Sequence, residues 1–460
     1  MGGYAQILDR FEQKSPFAVL VRTILQRLLP AEQLDRLFND TAKKQYERTL
    51  LFSTLMTLML EVVLKSSPSV HHSYERHQDE VGVSLKAVYD KLNGLEPKIA
   101  TELVRYSVRR LRPLQQKLRG EAPELLSGHR VRIIDGNHFS GTEHRLKGTR
   151  THQASPLPGL VLAVLDPHYR MFIDMIPCED GHAQERSLFP LIEPLVEKND
   201  LWIADRNFAT LELMFDIAAK KAFFLMRQHG SLKTWSEESA EKYVGKTATG
   251  HVYEQQIGVT HPKTGKKLLL RRIRLELFAK TRDGETEIVL LTNLTKKSAS
   301  SIVCCDLYRD RWGIERAFLE MTECLSCEID TLGYPKAAIF AFCLAAMLYN
   351  AVAVMKSAIA AAHGEEALEE ISWYYAYTET HAMWPGMEIA LPFDFWSKRI
   401  DGMSDRDMAG YLKSLCGRIN MAKFKKSRRG PKKKVTKTYD PKVNHVSTFK
   451  ILQEQKNSKK

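Results

Sequence analysis

Cysteine is scarce and scattered in this chain of 460 residues. Seven cysteines are present, and the one pair at CxxC spacing, Cys324 and Cys327, has no second pair to complete a zinc site. This usage indicates reduced thiols more than a disulfide framework. A secretory signal is also lacking, because the N-terminal MGGYAQILDRFEQK carries charges early and has no apolar core segment. These absences predict a cytoplasmic protein.

Long apolar runs are also few, and neither of the two present is a convincing membrane span. Residues 50–64 are short for a span and include Glu61. Residues 337–355 contain Tyr349 and Asn350 and fit a helix buried behind a sheet equally well. We therefore expect no membrane segment. A length of 460 residues suits two to four domains, and the apolar content of 44% is enough for a core.

Basic residues outnumber acidic residues by 68 to 55, which gives a net charge of +13 and a pI near 9.2. This balance favours a polyanionic partner such as nucleic acid. The excess is concentrated near the C-terminus, where residues 418–437 contain ten Lys or Arg and no acid. We expect residues 418–460 to be disordered when free and to bind phosphates without reading sequence, unless the tail merely solubilises the chain. The tail cations chosen as DNA contacts are Arg428, Arg429, Lys432 and Lys433.

Residues 1–127 have the apolar spacing of amphipathic helices. Ser84 can cap a short helix, and Pro97 opens a second helix through Arg112 after a glycine-containing turn. Such a pair allows a helix-turn-helix whose first helix would present Lys86 and Lys91 to DNA, although helix pairs of this kind more often only pack on each other.

From residue 128 the pattern changes to strands. VRIIDGNHFSG is an apolar run broken by Asp135 and Gly136, and two more strands and a helix follow. The next strand, residues 201–204, ends on Asp205 before another helix and strand. The order of three strands, helix, strand, helix and strand predicts a mixed sheet flanked by helices.

About 110 residues separate Asp205 from Glu315, so an insertion is expected over residues 229–300. Apolar residues alternate there with Arg272 and Arg274, as in a strand with one polar face. These arginines could meet DNA phosphates, and an ordinary solvated strand face is equally consistent.

The stretch from residue 308 to residue 350 carries a polar stripe beside an apolar seam. Wound as one α-helix, four polar side chains fall within roughly 60° of one another: Tyr308, Arg311, Glu315 and Thr322. The seam would pack on a sheet and hold Glu315 rigidly, as a metal ligand requires. Taken alone, a solvated helix face with surface ion pairs is the commoner interpretation.

Two further acids follow apolar strands, namely Asp135 and Asp205. A single Asp at a strand end is usually a turn or cap residue. If both remained buried and met Glu315, the three carboxylates would need cations to stabilise them. Oxygen ligands of this kind suit Mg²⁺ or Mn²⁺.

The spacing Tyr308-x2-Arg311-x3-Glu315, with a Leu-Gly-Tyr-Pro turn and an apolar helix after it, resembles the DDE transposases of the insertion sequence four family. Asp135-Gly136 and Asp205-Arg206 are similar to that family's first two acidic motifs, and the resemblance covers about residues 50–355. It departs from the family at Thr322, where relatives have a lysine seven residues after the Glu. Three other acids rank lower as site residues: Asp166, which precedes Pro in an apparent turn, and Asp174 and Asp180, which match no motif.

The resemblance implies a ribonuclease-H-like core with a β-rich insertion before the catalytic helix and an N-terminal helical domain. The expected divisions are a helical, candidate DNA-binding domain (1–127), the first part of the core (128–228), the insertion (229–300), the catalytic and buried helices (301–360), a C-terminal helical segment (361–417) and the basic tail (418–460).

The resemblance further implies a DNA transposase that cuts its element's ends and joins them to target DNA by two-metal phosphoryl transfer. Asp135, Asp205 and Glu315 would be the catalytic residues and would hold two Mg²⁺ ions, with Mn²⁺ possible. The side chains expected beside the DNA near this site are Tyr308, Arg311, Trp312 and Arg206, although Trp312 could equally be a core aromatic.

The expected partner is double-stranded DNA, at the element ends and the target, with a homodimer in the synaptic complex and a nucleoid-associated location. Two alternatives stay open, a structure-selective nuclease on the same fold and a domesticated DNA-binding protein without activity.

Overall fold

The computed structural model describes residues 2–45, 49–151, 154–236, 240–281, 284–427 and 430. The helices in this part of the chain are α1 (Gly2–Lys14), α2 (Pro16–Gln26), α3 (Ala31–Thr41), α4 (Phe52–Val63), α5 (Val70–Arg76), α6 (Gln78–Val81), α7 (Leu85–Gly94), α8 (Pro97–Leu118), α9 (Leu211–Ala219), α10 (Ser301–Arg309), α11 (Trp312–Cys324), α12 (Pro335–His363), α13 (Glu366–Glu370), α14 (Trp373–Ala390), α15 (Phe393–Ile400) and α16 (Asp405–Gly417). The strands are β1 (Arg130–His138), β2 (Leu160–Asp166), β3 (Met171–Cys178), β4 (Asp200–Ala204), β5 (Phe223–Arg227), β6 (Lys242–Lys246), β7 (Gly250–Thr260), β8 (Lys267–Leu277) and β9 (Glu287–Thr292).

These strands form one continuous mixed sheet in the order β3-β2-β1-β4-β5-β9-β8-β7-β6. The central strands β1, β4 and β5 run parallel, and the strands outside them pair antiparallel. Helices flank the sheet, and a helical region precedes it. The predicted ribonuclease-H-like architecture is confirmed.

Both faces of the central strands are covered, as parallel strands require. Alternate residues of β1 enter different cores, with Ile133 on the face of α8 and α12 and Ile134 on the face of α9. Helix α12 is long and apolar enough to cross a membrane, but 94% of its apolar window is buried inside the protein. This matches the interpretation of residues 337–355 as a buried helix.

The connection between β3 and β4 differs from the prediction. The sequence predicts an α-helix there, whereas the chain forms two short 3-10 helices, Glu185–Leu191 and Glu193–Leu195. Pro190 and Pro194 explain the difference, because proline lacks an N–H donor and its ring clashes with the preceding turn. Strand β1 is also longer than predicted and continues through Asp135 to His138.

The predicted single helix from residue 308 is two helices, which is a second correction. Asp310 and Arg311 separate α10 from α11, and most of the backbone hydrogen bonds around them span three residues instead of four. Tyr308 therefore belongs to α10 and Glu315 to α11. The polar stripe is not one straight helix face.

The insertion does not form a separate sheet. Its strand β9 pairs with β5 of the core, with Leu225 opposite Thr292, so β6 to β9 extend the core sheet. The predicted alternation in β8 is confirmed, because Ile273 and Leu275 are buried while Arg272 and Arg274 are half-buried.

Helix α7 begins as predicted, because the Ser84 side chain accepts a hydrogen bond from the backbone N–H of Ala87. Helix α8 continues to Leu118, beyond the predicted end at Arg112, despite Pro113 inside it. All seven cysteines lie in the described part of the chain and are free thiols, as expected.

The described residues up to Lys425 form a first compact unit. The first unit includes the start of the predicted tail, where Arg418 lies 2.7 Å from Glu12 and the Phe424 ring lies 5.3 Å from Phe17. The four tail cations predicted to contact DNA, Arg428, Arg429, Lys432 and Lys433, lie outside the described residues.

Candidate active site

Asp135 and Asp205 lie near each other just beyond the point where the parallel pairing of β1 and β4 ends. In the register of β1 and β4, Ile133 is opposite Ile203, so two residues further on Asp135 falls beside Asp205. Asp205 also caps the turn that follows β4, because its Oδ1 accepts a hydrogen bond of 2.8 Å from the backbone N–H of Asn207. The cap role does not remove Asp205 from the site, because the strand register sets its position.

Arg311 joins Asp135 to Glu315. Its Nη1 lies 2.9 Å from Asp135 Oδ2, and its Nη2 lies 2.6 Å from Glu315 Oε1. Only 10% of the Arg311 side chain is exposed, and its Nε is buried without a hydrogen-bond partner among the described residues. The guanidinium is thus the positive charge that holds a strand carboxylate and a helix carboxylate together.

The carboxylates share one electrostatic environment. Burial raises the pKa of Asp135 to about 6, Arg311 opposes this rise, and the negative charges of Asp205 and Glu315 add to it. Like charges raise a carboxyl pKa only when they are close. The site therefore has more negative charge than Arg311 alone neutralises.

The donor chemistry of this site fits a hard divalent cation, because carboxylate oxygens are the ligands that Mg²⁺ and Mn²⁺ prefer. Among the described residues, however, no three His, Cys, Asp or Glu side chains are grouped closely enough to hold a metal as they stand. Asp135 and Glu315 are both bonded to Arg311. A cation bound by both carboxylates would therefore compete with the guanidinium for them.

A fourth carboxylate, Glu185, lies next to the site and was not predicted from the sequence. A Cβ on Gly136 would lie 1.9 Å from Glu185 Oε1, so any side chain at position 136 would force the Glu185 carboxylate to move. Burial raises the pKa of Glu185, and the charge of Asp205 raises it further. The sequence signal was a glycine inside a strand directly after Asp135, where the lack of a side chain indicates close approach by another group.

The sequence that forms this site matches a known family. Residues 126–351 match the family model described as "Transposase DDE domain". This segment is a transposase DDE domain. The matched range includes Asp135, Asp205 and Glu315, and it agrees with the resemblance to the insertion sequence four family.

No curated protein sequence matches this chain. Among solved structures, the chain is similar to a piggyBac transposase in a synaptic complex with hairpin DNA, at 12% identity and a TM-score of 0.34, covering 87% of this chain and 75% of that chain.

The transposase domain exposes some of the predicted DNA contacts beside the carboxylates and buries others. Trp312 is 56% exposed, so the alternative of a core aromatic is wrong. Arg206 is exposed, with its Nη1 3.5 Å from Glu285. Tyr308 is only 8% exposed. Trp312 and Arg206 are thus accessible to DNA without rearrangement, whereas Tyr308 and Arg311 are not.

The predicted DNA contacts of the insertion already have protein partners. Arg272 Nη1 lies 3.2 Å from Glu241 Oε1, and Arg274 Nη2 lies 2.7 Å from Glu241 Oε2. Contact with a phosphate would require each arginine to leave a carboxylate. The role of these two residues in DNA binding stays a prediction.

The predicted contacts on α7 are also engaged. Lys86 Nζ lies 2.5 Å from Asp90. Lys91 is half-buried, with its Nζ 2.5 Å from the Leu50 carbonyl oxygen and 4.8 Å from the centre of the Phe38 ring. To contact a DNA phosphate, Lys86 would need only to leave the exposed Asp90, whereas Lys91 would have to leave a packed position.

The rival acids each have a local partner. Asp166 binds Arg132 at 2.5 Å and closes the β2–β3 turn through the backbone N–H of His168. Asp174 binds Arg105 at 2.9 Å. These contacts account for both buried carboxylates without a catalytic role.

Proposed function

We propose that this protein is a DNA transposase that cuts the ends of its element and joins them to target DNA by direct attack at phosphorus. One observation carries the proposal: Asp135 and Asp205 are neighbours where the parallel pairing of β1 and β4 ends, and Arg311 binds both Asp135 and Glu315. The transposase DDE domain supports the same conclusion.

Asp135, Asp205 and Glu315 would hold two divalent ions, Mg²⁺ or Mn²⁺. Such ions, when bound, activate an attacking oxygen and stabilise a leaving oxygen. The protein's part is to present three carboxylates from three rigid elements: β1, the end of β4 and the first turn of α11. Positions on strands and helices hold such groups more accurately than loops do.

Arg311 would act in the free protein and again with DNA. In the free protein its guanidinium neutralises Asp135 and Glu315. The exposed Trp312 lies beside this guanidinium, with its ring centre 5.5 Å from the guanidinium carbon. If Asp135 and Glu315 held cations instead, Arg311 would be free to turn toward this exposed surface. A planar guanidinium suits a DNA phosphate, so this turn would place a phosphate contact beside the cut.

The test is a set of isosteric variants, Asp135→Asn, Asp205→Asn and Glu315→Gln. Each removes a negative charge with little change in volume, so each should abolish cleavage of a duplex made from the gene's flanking DNA while binding to that duplex persists. Cleavage is measured on a gel and binding by fluorescence anisotropy. Asp180→Asn is the matched control, because this exposed carboxylate only accepts a backbone hydrogen bond from His182. If a variant cleaves at a near-normal rate, the residue it replaces does not belong to the site.

Joined products separate this proposal from the alternatives. A transposase should link the freed 3′ end to a target plasmid, whereas a structure-selective nuclease stops at cleavage. A domesticated DNA-binding protein would do neither. Short inverted repeats on both sides of the gene would support the transposase, and synapsis of two such ends would require a dimer on DNA.

A further inference from the structure

A basic cleft lies between the end of α8 and one face of α16. Its volume is about 680 Å³, and its lining consists of Gln116, Lys117, Arg119, Arg406, Ala409, Gly410 and Lys413. All four charged residues in this lining are basic and exposed. We call this feature the α8–α16 cleft.

The face of α16 in the cleft has cations at its ends and small residues between them. Arg406, Ala409, Gly410 and Lys413 are spaced i, i+3, i+4 and i+7, which places them on one side of a helix. Added bulk at Gly410 would meet no other atom within 4 Å, so the space above it is open. A flat extended group can therefore approach the helix backbone between two positive charges.

The cations of the cleft are not neutralised by neighbouring acids. Within the described ranges, none of Lys117, Arg119, Arg406 and Lys413 has a carboxylate within ion-pair distance, 4.0 Å. The acids that flank Arg406 are engaged elsewhere, since Asp405 lies 2.5 Å from Arg27 and Asp407 accepts a hydrogen bond from Ser404. Arg272 and Arg274 of the insertion differ from these cations, because each lies within ion-pair distance of Glu241. Uncompensated cations that converge on one cleft favour an anionic ligand.

The cleft lies away from the three carboxylates. Just beyond Arg119, the backbone N–H of Ala122 donates to the His168 carbonyl oxygen in the β2–β3 turn. That turn follows Asp166, whereas Asp135 is paired with Ala163, three residues earlier on β2. Three residues of a strand span about 10 Å. A phosphate in the cleft is thus not the one being cut.

We propose that the α8–α16 cleft binds the phosphodiester backbone of duplex DNA at a stretch separate from the cleavage site. The choice of DNA as the polyanion rests on the proposed function. The cleft itself needs no catalysis, because phosphate contacts position DNA without chemistry and without reading sequence.

The test is the double variant Arg406→Ala/Lys413→Ala, with affinity for a 40-base-pair duplex measured by fluorescence anisotropy over a range of salt concentrations. Two lost phosphate contacts should reduce the slope of log affinity against log salt by about 1.8. Affinity at low salt should fall about tenfold, equally for element-end and random duplexes. Alanine suits exposed helix positions, and circular dichroism checks that the variant is folded.

The matched control is Arg36→Ala/Arg109→Ala, which removes the same charge from exposed positions on α3 and α8 outside the cleft. It should leave the slope near the wild-type value. Equal losses in both double variants would mean that only net charge matters, and an unchanged slope in Arg406→Ala/Lys413→Ala would mean that the cleft does not touch DNA. A loss confined to single-stranded DNA would also overturn the proposal.

The cleft and the proposed function fail in different ways. A changed salt slope in a protein that neither cleaves nor joins DNA would support the cleft and refute the transposase activity. Normal cleavage and joining by the wild type, with an unchanged salt slope in the cleft variant, would support the transposase activity and refute the cleft.

Discussion

Replacing Arg311 by glutamine tests whether its guanidinium substitutes for a metal ion in the free protein. The change removes the positive charge between Asp135 and Glu315 but keeps a polar side chain. Two partly buried carboxylates are then left close together. The variant should lose stability without metal and should bind Mn²⁺ more tightly than the wild type.

The structure sets the size of both effects. Removing one partner of a buried ion pair costs about 3–5 kcal/mol. Glu315 is 36% exposed and well screened, whereas Asp135 and Arg311 are 18% and 10% exposed, so the expected loss is nearer about 2 kcal/mol. Protonation of Asp135 limits the loss further, because its pKa rises when Arg311 is removed. With no guanidinium to displace, Mn²⁺ affinity should rise at least about tenfold, or about 1.4 kcal/mol.

Urea unfolding with and without Mn²⁺ measures the stability change, and isothermal titration calorimetry measures the affinity. Arg309→Gln is the control, since this neighbouring arginine is 60% exposed and lies 3.5 Å from Asp306. Its stability should stay within about 0.5 kcal/mol of the wild type. Wild-type stability together with wild-type Mn²⁺ affinity in Arg311→Gln would refute the substitution argument.

Three further predictions concern the tail, the departure from the family and the pH dependence. Ending the chain at Ser427 keeps the packed start of the tail and should weaken binding to element-end and random DNA alike. The slope of log affinity against log salt should fall by about 0.9 for each lost phosphate contact. An unchanged slope would show that the tail does not touch DNA. Thr322→Lys adds a cation at an exposed position of α11 and should tighten binding to element ends by up to about 1 kcal/mol at low salt. The free energy of unfolding should stay within about 0.5 kcal/mol of the wild type. A marked loss of stability would contradict the exposure of Thr322. The pKa of Asp135 rises from 3.8 to about 6 on folding, so between these pH values the folded state binds more protons than the unfolded state. Asp135 therefore adds at most about 3 kcal/mol to the free energy of unfolding. This contribution is fully present below about pH 4 and is lost as the pH rises through about 6. Unfolding free energies at pH 4 to 7 should therefore show this loss in the wild type and not in Asp135→Asn, and equal pH profiles would contradict it.

The sequence predicted the core because its signals are local and repeated. Buried parallel strands appear as apolar runs, and the acids Asp135 and Asp205 stand out because each interrupts or ends such a run. The insertion was also visible, through the alternation in β8. What local signals cannot give is the partner of a strand, so the pairing of β9 with β5 was not predicted.

The errors arose where side chains or prolines compete with the helix pattern. The spacing of apolar residues favoured a helix between β3 and β4, but Pro190 and Pro194 each remove a backbone N–H donor from this short segment and disfavour regular α-helix there. In the same way, a continuous polar stripe concealed the tight turn at Arg311. Glu185 was missed because it lies in a 3-10 helix, whereas its neighbours Gly136 and Asp205 come from β1 and from the turn after β4.

The single continuous sheet also sets the distance between β1, which carries Asp135, and the outer strand β6 of the insertion. Six strand spacings separate β1 from β6 in the sheet order, and at about 4.8 Å each they add up to about 29 Å. B-form DNA rises about 3.4 Å per base pair, so this width equals about eight or nine base pairs. Because β5 and β9 are hydrogen-bonded, the insertion cannot slide independently of the strand that carries Asp135. DNA held at the outer edge of the insertion would therefore stay at a fixed distance from the proposed cleavage site.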